Sequence, residues 1–110
     1  MSLQVVILEP AKYDLKEIRD YIVKKFSRDA WLETSRKFRE ALDSISKLPL
    51  AGAVPEEIEL LNLTQYRQII SGMNRIIYEV RQDVIFVHAV VDARRDMMSL
   101  LTKRLLRANR

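Results

Sequence analysis

The side chains that could do chemistry in this 110-residue chain are arginines, and they crowd its second half. Residues 61–110 hold nine Lys and Arg against four Asp and Glu, and eight of the nine cations are Arg. Residues 1–60 hold 10 against 11, so the net charge of +4 comes wholly from the second half. The planar guanidinium binds phosphate or carboxylate through two parallel hydrogen bonds, so this bias points to an acidic partner: nucleic acid or an acidic protein segment. Strand alternation puts Arg75, Ile77, Glu79 and Arg81 on one face, and Ile76, Tyr78 and Val80 on the other. Arg67 shares its face with Ile69, and Arg94 and Arg95 leave the end of the last apolar run. If these strands are neighbours, Arg67, Arg75 and Arg94 converge on the face away from the helices. The plainer reading is a solvated sheet face whose arginines pair locally with Glu79 or Asp92, and alternation alone favours it.

Other chemistries find little support. There is no cysteine, so disulfides, thiolate metal sites and a cysteine nucleophile are all removed. No zinc-ligand spacing occurs, and no cofactor is expected. His88 lies in an apolar run and reads as a satisfied core histidine, with no carboxylate placed beside it to make a triad. Two glycines cannot build a phosphate loop. Glu56, Glu57 and Glu59 read as a solvated acidic edge. The N-terminus lacks a signal-peptide pattern and no apolar run is long enough to span a bilayer, so a cytoplasmic protein without a membrane partner is expected.

The elements that must position the arginines follow from periodicity. Leu3 to Leu8 is a short β-branched run, ended by Glu9-Pro10. Ala11, Leu15, Ile18, Ile22 and Phe26 then form one helical stripe, with Asp20 and Lys24 spaced for a solvated pair. Ser27 is placed to cap a second helix, whose stripe is Trp31, Ser35, Phe38, Leu42 and Ile45. Glu33–Lys37, Arg39–Asp43 and Asp43–Lys47 are its expected surface pairs, and Pro49 stops it. Residues 50–63 read as a loop with a short helical turn near Pro55 to Leu60. Three strands follow at Tyr66 to Ser71, Asn74 to Arg81 and Val84 to Val91, joined too tightly to be anything but an antiparallel meander. Met97 to Ala108 reads as an amphipathic helix with Leu100, Leu101 and Leu105 on its apolar side and Lys103, Arg104 and Arg107 on its basic side. The expected fold is α+β, one domain over residues 1–110: an N-terminal strand, a helical hairpin on a mainly antiparallel four-stranded sheet, and a C-terminal helix.

This combination resembles the RelE/ParE toxin superfamily, nearer its ParE branch. Ala11, Asp14-Leu15, Ile18 and Tyr21-Ile22 match an early A-x-x-DL-x-x-I-x-x-YI pattern. Tyr66-Arg67, Arg75-Ile76-Ile77-Tyr78 and Ala93-Arg94-Arg95-Asp96 match the later YR, R-[IV]-[IV]-Y and basic exit patterns. The resemblance spans nearly the whole chain, although the loop at 50–65 is longer than in compact members. It implies a toxin of a type II toxin–antitoxin system, neutralised by a ParD-like antitoxin whose flexible segment folds on binding. Antitoxin contacts are expected at Arg67, Arg75, Leu100, Leu101 and Leu105.

The resemblance also offers two targets. A ParE-like toxin inhibits DNA gyrase by binding and needs no catalytic residue; Arg94, Arg95, Lys103, Arg104 and Arg107 would form the target surface. A RelE-like toxin cuts mRNA on the ribosome, and Arg67, Arg75 and Arg94 match parts of its basic set. Its second basic strand position falls near Ile69, and its C-terminal tyrosine falls near Leu100, with no Tyr after Tyr78. General acid–base chemistry needs a titratable group in reach, so the nuclease reading is the weaker. A third reading is a non-toxic relative that only binds antitoxin. Direct nucleic-acid binding is left open. The last helix either packs on its own sheet or serves as a detachable element that lets the chain form a homodimer without antitoxin.

Overall fold

A computed structural model describes residues 2–59, 64–93 and Arg104. The order is β1 (Gln4–Ile7), α1 (Glu9–Lys25), α2 (Arg28–Lys47), the short α3 (Glu56–Glu59), β2 (Tyr66–Ser71), β3 (Asn74–Arg81) and β4 (Val84–Asp92). The expected helix over Met97 to Ala108 lies, apart from Arg104, outside the described residues.

The helices begin and end where local chemistry requires. Pro10 sits in the first turn of α1, where its missing N–H costs no hydrogen bond. Ser27 caps α2 as expected, its Oγ accepting from the Ala30 amide at 3.0 Å. Phe38, Ala41 and Ile45 bury the inner face of α2, with Trp31 and Leu42 packed against them. On the outer face Asp43–Lys47 forms at 3.0 Å. Glu33 pairs instead with Arg36, which also reaches Glu40, and Asp20 pairs with Arg19. Phe26 departs from the expected stripe: it caps the end of α1 and is 70% exposed.

The sheet order is β1-β4-β3-β2. The β2–β3–β4 meander is antiparallel as expected, and β1 joins β4 in parallel, from Gln4 opposite Val84 to Ile7 opposite Val87. Gly72 turns β2 into β3 at φ +59°, a conformation that favours glycine. Gln82 takes φ +54° in the β3–β4 turn, where a side chain carries about 1 kcal/mol of strain. Ile76, Tyr78, Ile85, Val87 and Val90 face the helices and form the core with Ala11 and Ile45. Full burial of each large aliphatic side chain contributes about 1.5–3 kcal/mol.

The register of β3 on β4 slips once. Ile77 pairs with Ala89 and Tyr78 with Val87, so His88 is an extra residue in β4. This bulge lets Val87 and Val90, three apart, both face the core.

The segment after α2 is tied down by Tyr78. Its hydroxyl donates to the Pro49 carbonyl at 2.8 Å and accepts from the Gly52 amide at 3.1 Å. A Cβ on Gly52 would lie 2.4 Å from that hydroxyl oxygen and 2.6 Å from the Gln68 carbonyl oxygen. Tyr78→Phe strands a buried amide and should lower unfolding free energy by about 1–2 kcal/mol. Gly52→Ala should cost about 1–3 kcal/mol by overpacking. Urea titration of both variants checks these values, and unchanged midpoints would show that the segment is not held here.

Candidate functional site

The expected arginine cluster does not assemble. Arg67 pairs with Tyr78 across β2–β3 and therefore shares the helix side of the sheet. Its guanidinium donates to the carbonyls of Leu50 and Gly52, at 3.2 and 2.7 Å. Arg75, opposite Ile70 and Val91, lies on the other face, where it donates to Gln68 Oε1 at 3.4 Å. Alternation within one strand is sound, but phase between strands is set by pairing register. That register puts Arg67 and Arg75 on opposite faces. Arg94, Arg95, Lys103, Arg107, Leu100, Leu101 and Leu105 lie outside the described residues.

The far face of the sheet also differs from the solvated surface favoured by alternation. Ile77, Ala89 and Val91 are buried there, and so are Glu79 and His88, each 6% exposed. His88 does have a placed carboxylate, contrary to expectation. Its Nε2 lies 2.7 Å from Glu79 Oε1, and Arg81 reaches the same oxygen at 2.7 Å. The Tyr66 ring stands edge-on to the imidazole at 5.0 Å. Burial pushes the Glu79 carboxyl up, but hydrogen bonds from Arg81 and His88 outweigh it and hold the group below its ordinary value. The carboxylate is then acceptor only, so Nε2–H of His88 donates. Arg81 is mostly exposed and also lies over the Phe86 ring, 4.8 Å from its centre. The cluster is a satisfied polar core that pins the bulge.

A second buried carboxylate was not singled out from the sequence as a site residue. Asp14 on α1 is 6% exposed. Its Oδ2 accepts the Val90 amide at 3.0 Å, and its two oxygens accept both amino nitrogens of Arg104, at 2.7 and 2.6 Å. Hydrogen bonding to Asp14 holds the Arg104 guanidinium above its ordinary value, against the opposing effect of burial. Arg104 was expected on an open basic face; it is 26% exposed and engaged with α1. The signal was available: Asp14 falls between Ala11 and Ile18 at spacings of three and four, on the apolar stripe itself.

Asp14 also lines a half-open groove of about 690 Å³ between α1, α2, the β2–β3 turn and the end of β4. Apolar lining comes from Ile18, Tyr21, Ile22, Phe26, Met73 and Val90; charge comes from Asp14, Glu17, Asp92 and Lys37. Among the described residues no cluster of side chains could hold a metal ion, and no helix is long and apolar enough to cross a membrane.

Comparison with known proteins places this geometry. Residues 5–97 match the family model for the ParE toxin of the type II toxin–antitoxin system parDE. The chain belongs to that family. Its fold is shared with a chromosomal ParDE toxin–antitoxin system from P. aeruginosa, at TM-score 0.68 and 15% identity, covering 83% of this chain and 96% of that one. E. coli toxin RelE, a mutant in the free state, aligns at TM-score 0.62 and 16% identity over 97% and 98% of the two chains. The RelBE2 toxin–antitoxin complex from Mycobacterium tuberculosis aligns at 0.54 and 19%, over 84% and 99%. No curated protein matches the sequence. The RelE/ParE fold expected from the motifs is therefore the observed one, and the family is that of ParE toxins.

Two measurements probe the buried carboxylates. Folding holds the Glu79 carboxyl below its ordinary value, so its contribution is present above the ordinary carboxylate range and is lost as pH falls through the folded value. Glu79→Gln should be less stable at pH 7 and show a shallower acid limb than wild type; parallel acid limbs in urea titrations would contradict this. For the second pair, Arg104→Ala leaves Asp14 uncompensated and should cost about 3 kcal/mol. Adding Asp14→Asn should recover part of that loss in a double-mutant cycle, and strict additivity would show the pair to be uncoupled.

Proposed function

We propose that this family member is a toxin that inhibits DNA gyrase by binding and is neutralised by a ParD-like antitoxin. Family membership over residues 5–97 carries the reading. The geometry supports the binding branch over the nuclease branch. Phosphate cleavage needs cations gathered around one phosphate. Arg67 and Arg75 stand on opposite faces, and Arg67 is committed to two backbone carbonyls. The position matched to a second strand cation is Ile69, which packs against the core.

Target binding is assigned to Arg94, Arg95, Lys103 and Arg107, the cations that follow β4 in the sequence. Arg104 is left out of that surface because Asp14 holds it. The antitoxin would cover the same basic half with an acidic segment, and its contacts are proposed at Arg75, Leu100, Leu101 and Leu105. Arg67 is not in that set, because its guanidinium is bonded to the Leu50 and Gly52 carbonyls.

Purified protein should block supercoiling by gyrase and accumulate cleaved DNA, with the block relieved by the antitoxin encoded beside it. Combined Arg94→Ala and Arg95→Ala should weaken inhibition about tenfold or more, and rising salt should weaken it further because exposed charges are screened. Full supercoiling at saturating protein would dismiss the gyrase reading. Codon-positioned mRNA cuts on ribosomes, lost in Arg75→Ala, would replace it with the nuclease reading.

A further inference from the structure

The groove beside Asp14 is built unlike the rest of the surface. Its rim exposes large apolar groups: Phe26 is 70% exposed, and Tyr21 and Met73 are each 56% exposed. Its wall holds a hydroxyl that has no hydrogen-bond partner among the described residues: Ser71 Oγ, on a residue that is 7% exposed. Such a buried group is destabilising unless a ligand or water reaches it. The groove lining also carries three carboxylates, Asp14, Glu17 and Asp92, against one cation, Lys37, the reverse of the balance in the second half of the chain. Asp14 is paired with Arg104, and Asp92 has a partner of its own. Asp14 already shows what it selects. Its two oxygens receive the two amino nitrogens of one guanidinium, Arg104, from 90 positions away in sequence. Glu17, one turn on, adds a second negative charge toward the same guanidinium. A buried carboxylate with one oxygen fixed by the Val90 amide presents a planar acceptor edge, which matches an arginine fork better than a lysine point charge.

We propose that Asp14 is a seat for an arginine of the partner protein, carried on an amphipathic segment that fills the groove, and that Arg104 occupies this seat in the free chain. The inference rests on the reading that a partner segment wraps this protein, and it adds the chemistry of one anchor. Apolar side chains on either side of the arginine cover Tyr21, Phe26 and Met73, and a polar group of the segment reaches Ser71. Binding exchanges one guanidinium for another on Asp14, so the buried carboxylate is never left bare. Arg104 is released in the process.

The test uses the full chain and no toxicity readout, so it is independent of whether gyrase is the target. Arg104→Gly is titrated with ethylguanidinium chloride, with ethylammonium chloride as control, while the Val90 amide resonance is followed. The expected result is a saturable shift of that resonance with ethylguanidinium alone, and no such shift in wild type, where the seat is filled. An alanine-based peptide of about 15 residues, with one arginine flanked by leucines, is then compared with its citrulline analogue. The arginine peptide should bind Arg104→Gly about tenfold more tightly than wild type, and the citrulline peptide should lose that gain. If Arg104→Gly does not fold, Arg104→Lys takes its place in the peptide comparison, because it keeps a cation on Asp14 while giving up the fork. No saturable response, equal response to both small cations, or equal binding of both peptides would overturn the proposal.

Discussion

Strand β4 has nine residues and its parallel neighbour β1 has four, so among the described residues that edge of β4 has no strand partner beyond Val87. Much of the molecule answers that mismatch. A bare edge amide in the interior costs as much as a lost hydrogen bond, and the helices that cover the sheet exclude water from it. Asp14 solves the problem from above: it stands one turn into α1, and α1 begins directly where β1 stops, with the Leu8 amide still bonded to Val87. The carboxylate reaches down to the Val90 amide and completes the edge. Its charge then needs a counter-ion at a largely desolvated position, and Arg104, itself 26% exposed, meets that need. An economical reading of the N-terminal β1–α1 unit is that it exists to finish β4.

The same strand must also serve two faces. β4 packs under the helices on one side and is buried on the other, and a strict alternation over nine residues would have to keep both sides in step. The bulge at His88 relaxes that demand by shifting the phase once. A bulge leaves a polar imidazole in an apolar layer, and Glu79 on β3 supplies its partner. Glu79 in turn is kept ionised by Arg81 at the solvent edge. Each carboxylate in this core thus sits at an irregularity of β4, one at the bulge and one at the open edge.

What was legible in the sequence follows from range. The helix boundaries, the Ser27 cap and the three meander strands depend on contacts within a few residues, and they stand where periodicity put them. The family was legible because its motifs are spread along the chain. The arginine site was not, because face assignment across strands depends on register, and register here places Arg67 beside Tyr78. His88 looked like a histidine without a carboxylate because Glu79 is nine residues away and only the β3–β4 pairing brings them together. Asp14 and Arg104 are farther apart still. The only local hint was an acid on an apolar stripe, and nothing nearby in sequence could identify its counter-ion.

These positions also bear on how the proposed partner segment would control a ParE-family toxin of this size. The second half of the sequence is basic, the groove lining is acidic and apolar, and Arg104 belongs to the first by sequence while pairing with Asp14, which lines the second. A partner that engaged only surface cations of the basic half would gain little from each pair, and salt would erode it. A partner that also enters the groove meets a desolvated carboxylate already ordered by Val90, where a matched guanidinium is held far more firmly than on the surface. In the proposed exchange the two contacts would be linked through Arg104, because releasing it from Asp14 would add a cation to the second half of the chain. Covering the basic half and opening the groove would then favour each other. A segment long enough to reach both would gain from that linkage in a way that two separate segments would not.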